Sequence, residues 1–321
     1  TNPFAHTCGR VCTHRCETAC SIGRSGEPIA IRWLKRYAMD AFSPEQVTQI
    51  VGTGPATPTG KTVAVIGSGP AGLTAAFDLA RKGHKVAVFE GMEKPGGMVR
   101  YGIPEYRLPY DRLDADIEVI QAMGVEIRCN TWVGRDIRME QLRADHDAVI
   151  LGLGLQLGRS TRIPGADHPD VVKAVDILNR ITRGVPLEVP RKVVVIGGGN
   201  VAMDAARSLA RLQRRRYGEV GVTVCALEDR EHFLADPDEV RESLEEDIEI
   251  QDSRGPLECL VENGRLVGLR TQRVISIFDE QQRFAPKYDA GDTRQHTAEM
   301  IVEAIGQTAD TSLLGEELTE A

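Results

Sequence analysis

The stretch Lys61–Glu90, KTVAVIGSGPAGLTAAFDLARKGHKVAVFE, constrains the fold of this chain most. Val63, Val65 and Ile66 form a β-branched run that ends at Gly67, the mark of a strand buried on both faces of a parallel sheet. Gly67, Gly69 and Gly72 follow as G-x-G-x-x-G, and Leu73, Ala76, Phe77 and Ala80 then recur at helical spacing. A second strand, Val86–Phe89, ends on the acid Glu90. Strand, glycine turn, helix, strand and acid in this phase make a dinucleotide-binding β-α-β unit. The first glycine allows the tight turn, the second admits a pyrophosphate to the backbone, and the third lets helix and strand pack closely. An acid about 20 residues downstream is placed to accept from a ribose hydroxyl.

A second unit of the same kind begins at Lys192, KVVVIGGGNVAMDAARSLARL, with Gly197, Gly199 and Ala202 as G-x-G-x-x-A. Asn200 and Val201 open its helix. Two such units mean two bound nucleotides. The strand after the second unit ends in Ala226-Leu227-Glu228-Asp229. A carboxylate there, foremost Glu228, accepts from both ribose hydroxyls and repels a 2′-phosphate, so NADH is expected over NADPH, with Asp229 as a second contributor. Arg214–Arg216 reads as a solvated helix end, with rescue of a phosphate site as the rival reading.

Cysteine use is uneven. Cys8, Cys12, Cys16 and Cys20 recur every fourth residue, whereas Cys129, Cys225 and Cys259 lie scattered in apolar settings that suit small core residues. Without a secretory context the first four suit metal or cluster ligation better than disulfides. Soft thiolates favour an iron–sulfur cluster; zinc and inert thiols are the alternatives.

The run KPGGMVRYGIPEYRLP at 94–109, together with G-S-G-P-A-G-L and Glu90, resembles the glutamate synthase small-subunit family over nearly the whole chain. The resemblance implies that the first unit binds FAD. Its cofactor set would be Gly67, Gly69, Pro70, Ala71, Gly72, Glu90, Gly96, Gly97, Met98, Arg100 and Gly152. In relatives a similar C-G-R-V-C…C-E-x-x-C stretch belongs to a helical domain holding [4Fe–4S] clusters. That implies one cluster held largely by Cys8, Cys16 and Cys20, with Cys12 available to it or to a second. Where relatives end a strand in A-T-G, this chain has Leu151-Gly152-Leu153-Gly154, which keeps the glycines but not the hydroxyl.

The expected architecture is therefore α/β: two Rossmann-like domains, for FAD and NAD(P), preceded by a small α-helical iron–sulfur domain. Its boundaries are a cluster domain at 1–52, a Pro/Gly/Thr-rich linker at 51–60, the FAD domain at 61–165, the NAD(P) domain at 166–300, and a return toward the FAD domain over 301–321. Ile29, Trp33, Tyr37 and Ala41 form a helical stripe expected to pack the cluster domain onto the flavin domain, with Arg32, Lys35 and Arg36 solvated. The acidic run 236–249 reads as a solvated helix, and Leu266–Phe278 as part of an antiparallel hairpin.

At 321 residues the chain can build two cores, and Thr1 in place of a start methionine reads as a piece of something longer. A net charge of −8 argues against nucleic acid or anionic membrane as the main partner, and no apolar run is long enough to span a bilayer. The expected protein is a cytoplasmic electron-transfer enzyme. It passes electrons from NADH through FAD and [4Fe–4S] to other subunits of a redox complex or a ferredoxin. The alternative is a non-catalytic FAD and iron–sulfur scaffold in such a complex.

Overall fold

The computed structural model describes residues 2–51 and 57–312. Most of the 51–60 linker, residues 52–56, and the end of the chain from residue 313 lie outside the described residues. The chain divides into two compact units. One is formed by the chain up to Leu155 together with the segment from Ala309, the other by Gln156–Thr308.

In the first unit, four α-helices among the described residues precede the sheet: α1 (Ala5–Val11), α2 (Arg15–Thr18), α3 (Ile31–Asp40) and α4 (Pro44–Val51). There follow β1 (Thr62–Ile66), α5 (Pro70–Arg81), β2 (Lys85–Phe89), α6 (Met98–Tyr101), α7 (Tyr110–Ala122), β3 (Glu126–Arg128), α8 (Met139–Asp145) and β4 (Ala148–Leu151). The four strands are parallel in the order β3-β2-β1-β4. Side chains alternate across the sheet. Val63 and Val65 face a core with Leu73 and Phe77 of α5 and Leu113, Ile117 and Ile120 of α7. Ala64 and Ile66 face another with Met139 and Leu142 of α8. Both faces are thus covered, as a parallel sheet requires.

The α3 stripe is placed differently from the expectation. Trp33 is 53% exposed and Tyr37 78% exposed, while Arg32, Lys35 and Arg36 are half-buried. The helix turns its basic side toward α1 because Gly9 leaves room there: a Cβ on Gly9 would stand 2.9 Å from the Arg36 Cα. Arg10 of α1 closes the contact by donating to Asp40 at 2.6 Å. The aromatic stripe is left in solvent.

Asp116 joins α1 to α7. Its side chain is 3% exposed, and its two oxygens accept from the backbone N–H groups of His6 (3.0 Å) and Thr7 (2.9 Å). These are first-turn donors that have no partner inside their own helix. Phe4, at the N-cap, offers no side-chain acceptor, so a residue on another helix does the capping.

The second unit contains β5 (Leu157–Gly158), β6 (Val171–Lys173), α9 (Ala174–Thr182), β7 (Val193–Ile196), α10 (Asn200–Tyr217), β8 (Val222–Cys225), α11 (Pro237–Glu245) and β9 (Glu249–Gln251). Three long strands then follow, β10 (Arg254–Glu262), β11 (Arg265–Phe278) and β12 (Phe284–Thr297), before β13 (Met300–Glu303) and β14 (Gln307–Thr308). The parallel sheet runs β6-β13-β7-β8-β9. Val193 and Val195 pack on α9, α10 and α11. Val194, Ile196 and Ile301 pack on the antiparallel β10-β11-β12 sheet through Cys259, Leu266 and Leu269. Cys225 and Cys259 are buried in this core, whereas Cys129 is half-buried.

The return expected over 301–321 does not begin at its start: Met300–Glu303 pairs with both β6 and β7 inside the second sheet. Ile301 and Val302 are fully buried, and that apolar pair suits a strand covered on both faces better than a connector. The chain rejoins the first unit only from Ala309. The acidic run is not simply solvated either. Glu239, Glu242 and Glu246 converge on Arg207, whose side chain is 4% exposed. Among the described residues no helix is long and apolar enough to cross a membrane.

Burial raises the Asp116 carboxyl to about 6, against the pull of its bonds to Thr7 and His6 and the nearby Arg10 charge. The folded unit therefore holds this proton more tightly than the unfolded chain, so the group's contribution is complete below about pH 4 and is lost as pH rises through 6. A rise of that size is worth about 3 kcal/mol at most. Asp116→Asn should flatten that part of the pH–stability profile. Asp116→Ala, which strands two buried donors, should speed amide exchange of His6 and Thr7 at least tenfold at constant pH, at roughly 1–3 kcal/mol per donor. Unchanged exchange at both amides would show that Asp116 does not cap α1.

Candidate functional site

The first glycine turn is a backbone junction. Gly67 leaves β1 with φ +95°, and its N–H donates to Phe89 O at 2.8 Å. A Cβ on Gly67 would stand 2.3 Å from the Gly152 carbonyl oxygen, and one on Gly72 only 2.0 Å from the Gly67 carbonyl oxygen. Gly152 N–H donates to Ile66 O at 2.7 Å, so β1, α5 and the end of β4 meet with no room for side chains. Gly69 differs from these. It caps the 12-residue α5 with Pro70 at the first helical position, and the nearest atom to a Cβ there is Gly97 Cα, at 4.0 Å. That open side, at the first-turn N–H groups of Ala71 and Gly72, suits the pyrophosphate of a dinucleotide.

A second loop closes on the turn. Gly97, at φ +55°, comes so near that its Cβ would stand 2.6 Å from Gly69 Cα. The Gly96 N–H donates to both Ser68 O and Ser68 Oγ, each at 3.1 Å. Glu90 fastens the arrangement from below. Its Oε2 accepts from Ser68 N (2.9 Å) and Ser68 Oγ (2.5 Å), and its Oε1 from Met92 N (2.8 Å). Glu90 is 8% exposed, and Oε1 keeps one acceptor position for a ribose hydroxyl. Ser68 was missed from sequence; the signal was a hydroxyl between the two glycines, fully buried in the fold. Met98 opens α6. The Arg100 guanidinium is taken up by Pro95 O and Asp114 and packs on Tyr110, which makes it a brace between α6 and α7.

The second turn repeats the plan. Gly197, φ +138°, donates to Cys225 O at 2.9 Å, and its Cβ would meet the Ala304 carbonyl oxygen at 2.5 Å. Gly199 caps the 18-residue α10 with nothing within 4 Å of a Cβ. Val201 is half-buried and Ala202 fully buried, packing α10 on the sheet. The Asn200 side chain accepts from Asp236 N (2.8 Å), and Ala235 N donates to Gly198 O (3.0 Å), so the loop after β8 is laced to the turn.

Glu228 lies on that turn: a Cβ added to Gly198 would stand 2.6 Å from Glu228 Oε2. Asp229 is engaged elsewhere, capping the residue 230–232 turn through Glu231 N and His232 N and pairing with the His232 ring at 2.7 Å. The His232 bond holds its carboxyl below the usual range. Asp229 therefore does not share the place of Glu228. Arg214 pairs with Asp247 at 2.7 Å and donates to Glu246 O, and Arg216 stacks on Tyr217. At about 1.5 Å rise per residue, Arg214 lies about 21 Å along the helix from Asn200. The arginine run is a helix end, and a phosphate at the turn is beyond its reach.

The cysteines line the start of the chain. Cys8, half-buried in α1, accepts from Asn2 Nδ2 at 3.2 Å; Cys12 and Cys16 are exposed; Cys20 is half-buried. Backbone N–H groups of Ile29 and Gly23 lower the Cys20 thiol below its ordinary value, favouring the thiolate. Arg32 donates to Cys12 O, and its own N–H is accepted by Glu17, joining α3 to the cysteine turns. Among the described residues no three of these sulfurs lie within 4.8 Å of one another. A single tetrahedral zinc, at about 2.3 Å per bond, needs sulfurs roughly 3.8 Å apart. An all-thiol set, with backbone N–H groups aimed at the Cys20 sulfur, fits an iron–sulfur cluster by its donor chemistry.

Residues 61–320 match the family model described as pyridine nucleotide-disulphide oxidoreductase. The chain belongs to that family. Residues 1–47 match a second model, dihydropyrimidine dehydrogenase domain II, 4Fe-4S cluster. Among relatives of this oxidoreductase, the NADP(+)-dependent formate dehydrogenase subunit beta of Moorella thermoacetica is 37% identical, covering 97% of this chain and 46% of that protein. The NAD-dependent dihydropyrimidine dehydrogenase subunit PreT of Escherichia coli K12 is 38% identical over 80% of this chain and 60% of its own. The glutamate synthase [NADPH] small chain of Mycobacterium tuberculosis is 39% identical over 66% and 46% respectively. The chain thus spans about half the length of the curated relatives it matches. Among solved structures, Mycobacterium tuberculosis FprA in complex with NADPH shares the fold, with TM-score 0.67 and 21% identity over 78% of this chain and 71% of that one.

Gly72→Ala should destabilise the first unit by more than about 2 kcal/mol, because the new methyl meets a backbone carbonyl that cannot yield. Gly199→Ala, with φ −95° and open space, should cost no more than about 1 kcal/mol, the difference between glycine and alanine at an N-cap. A Gly72→Ala melting curve that overlays the wild type would contradict the junction.

Proposed function

We propose that this oxidoreductase moves electrons from NADH, through FAD in the 61–165 domain and a [4Fe–4S] cluster in the 1–52 domain, to a partner subunit or ferredoxin. The observation that carries the reading is the pair of glycine turns left open at Gly69 and Gly199, in one chain with an all-thiol segment. FAD supplies the step between, since it takes two electrons as a hydride and releases them singly. The protein's own part is positioning. Gly67, Gly69, Pro70, Ala71 and Gly72 hold the FAD pyrophosphate at the α5 N-terminus, Glu90 accepts from the ribose, and Gly96, Gly97, Met98 and Gly152 admit the flavin half. Gly197, Gly199, Asn200, Val201 and Ala202 form the corresponding seat for the nicotinamide nucleotide in the 166–300 domain. Cys8, Cys12, Cys16 and Cys20 ligate iron. Unpaired thiols and the lack of an apolar spanning helix among the described residues support a cytoplasmic setting.

The test is anaerobic addition of NADH to the intact protein. Flavin absorbance should bleach and the EPR signal of a reduced cluster should appear; in Cys16→Ser the bleaching should persist while the cluster signal and bound iron fall. An intact, flavin-loaded protein that NADH does not bleach would leave only the scaffold reading.

Coenzyme choice follows from Glu228. Its carboxylate lies against Gly198, where it accepts from a bare ribose and repels a 2′-phosphate. Like-charge contact costs several kcal/mol and each 1.4 kcal/mol is tenfold, so NADH should be preferred by about two decades in kcat/KM. Glu228→Arg should narrow or invert that preference. A wild-type kcat/KM higher for NADPH would refute the assignment.

A further inference from the structure

Beside Glu90 lies an aromatic surface that none of the expected contacts uses. The loop after β3 carries Trp132, 43% exposed. Its ring lies directly over the backbone of Gly91, so that a Cβ on Gly91 would stand 2.5 Å from both Cδ2 and Cε2 of the indole. Those two atoms share the ring-fusion bond, which means Gly91 meets the face of the ring. Several bonds hold the ring there. Thr131 N donates to Glu90 O at 2.8 Å, Asn130 N to Met92 O at 2.9 Å, and Trp132 N to Asp136 Oδ2 at 2.8 Å.

The sheet order gives the surface a use. A dinucleotide in an open α/β sheet crosses the carboxyl ends of the strands. With its pyrophosphate at the β1–α5 turn and its ribose at Glu90 beyond β2, the next strand end in the order β3-β2-β1-β4 is that of β3, which leads to Trp132. We infer that Trp132, seated on Gly91, is the platform on which the adenine of the first-unit dinucleotide stacks. This rests on the proposal that the first unit binds FAD. Glycine at 91 is then a requirement of the platform, since any side chain there would lift the indole. Arg135, its guanidinium 5.6 Å from the ring centroid and paired with Asp136 at 2.9 Å, borders the platform. Every base has a π-face, so stacking adds affinity without replacing the polar contact at Glu90.

The chain has two tryptophans, Trp33 and Trp132, so Trp33→Phe leaves Trp132 as the sole indole reporter. In that background, stripped of flavin, ADP should quench Trp132 emission because it carries adenine but no flavin chromophore, whereas ribose 5-phosphate, which has no base, should not. Trp132→Ala should weaken FAD at least tenfold, and Trp132→Phe, which keeps a ring, by much less. Trp132 emission indifferent to ADP at concentrations that displace FAD would overturn the platform while leaving the flavin reading intact, as would unchanged FAD affinity in both variants. A folded wild-type protein that retains no FAD and takes none up would instead bring down the flavin reading and the platform with it.

Discussion

The first unit depends on backbone atoms touching backbone atoms. β1, α5 and the end of β4 converge on Gly67, Gly72 and Gly152 at separations a single methyl would violate. Helix and sheet can approach this closely only where side chains are absent, and that closeness leaves the first turn of α5 open on its outer side. The buried pair Ser68–Glu90 then fixes the turn against the end of β2, and Gly96 and Gly97 bring a second loop across it. Glu90 therefore has two tasks: it shapes the turn through Oε2 and leaves Oε1 with spare acceptor capacity.

Much of this was legible in the sequence because it rests on local rules. Runs of β-branched residues ending in glycine, helical spacing after them, and an acid at the next strand end place β1, α5 and β2 and, again, β7, α10 and β8. What could not be read depends on contacts far apart in the chain. Nothing local in the 29–42 segment says which side of α3 faces α1; a glycine on the other helix decides it. Met300–Glu303 resembles a connecting strand until its neighbours are known, and pairing with Val171 and Val194 makes it central. The acidic run 236–249 looks solvated until Arg207, buried on α10, gathers three of its carboxylates.

The two turns use one plan with different locks. In the first, a loop from the same unit crosses the turn and meets it backbone to backbone. In the second, Ala304 fills the place opposite Gly197, while Asn200 and Gly198 hold the loop that carries Asp236. Glu228 lies at the rim of that turn, its carboxylate against Gly198, while Asp229 is spent on a cap.

The cap on α1 bears on how the cysteine segment can be handled as a module. Its leading helix has no acceptor of its own for His6 and Thr7, because Asp116 supplies both from α7. A fragment cut at the linker would keep Cys8, Cys12, Cys16 and Cys20 and lose the group that ends its first helix properly. The smallest portable thiol module is therefore not the stretch that carries the cysteines; it must include α7, and with it the parallel sheet on which α7 is built.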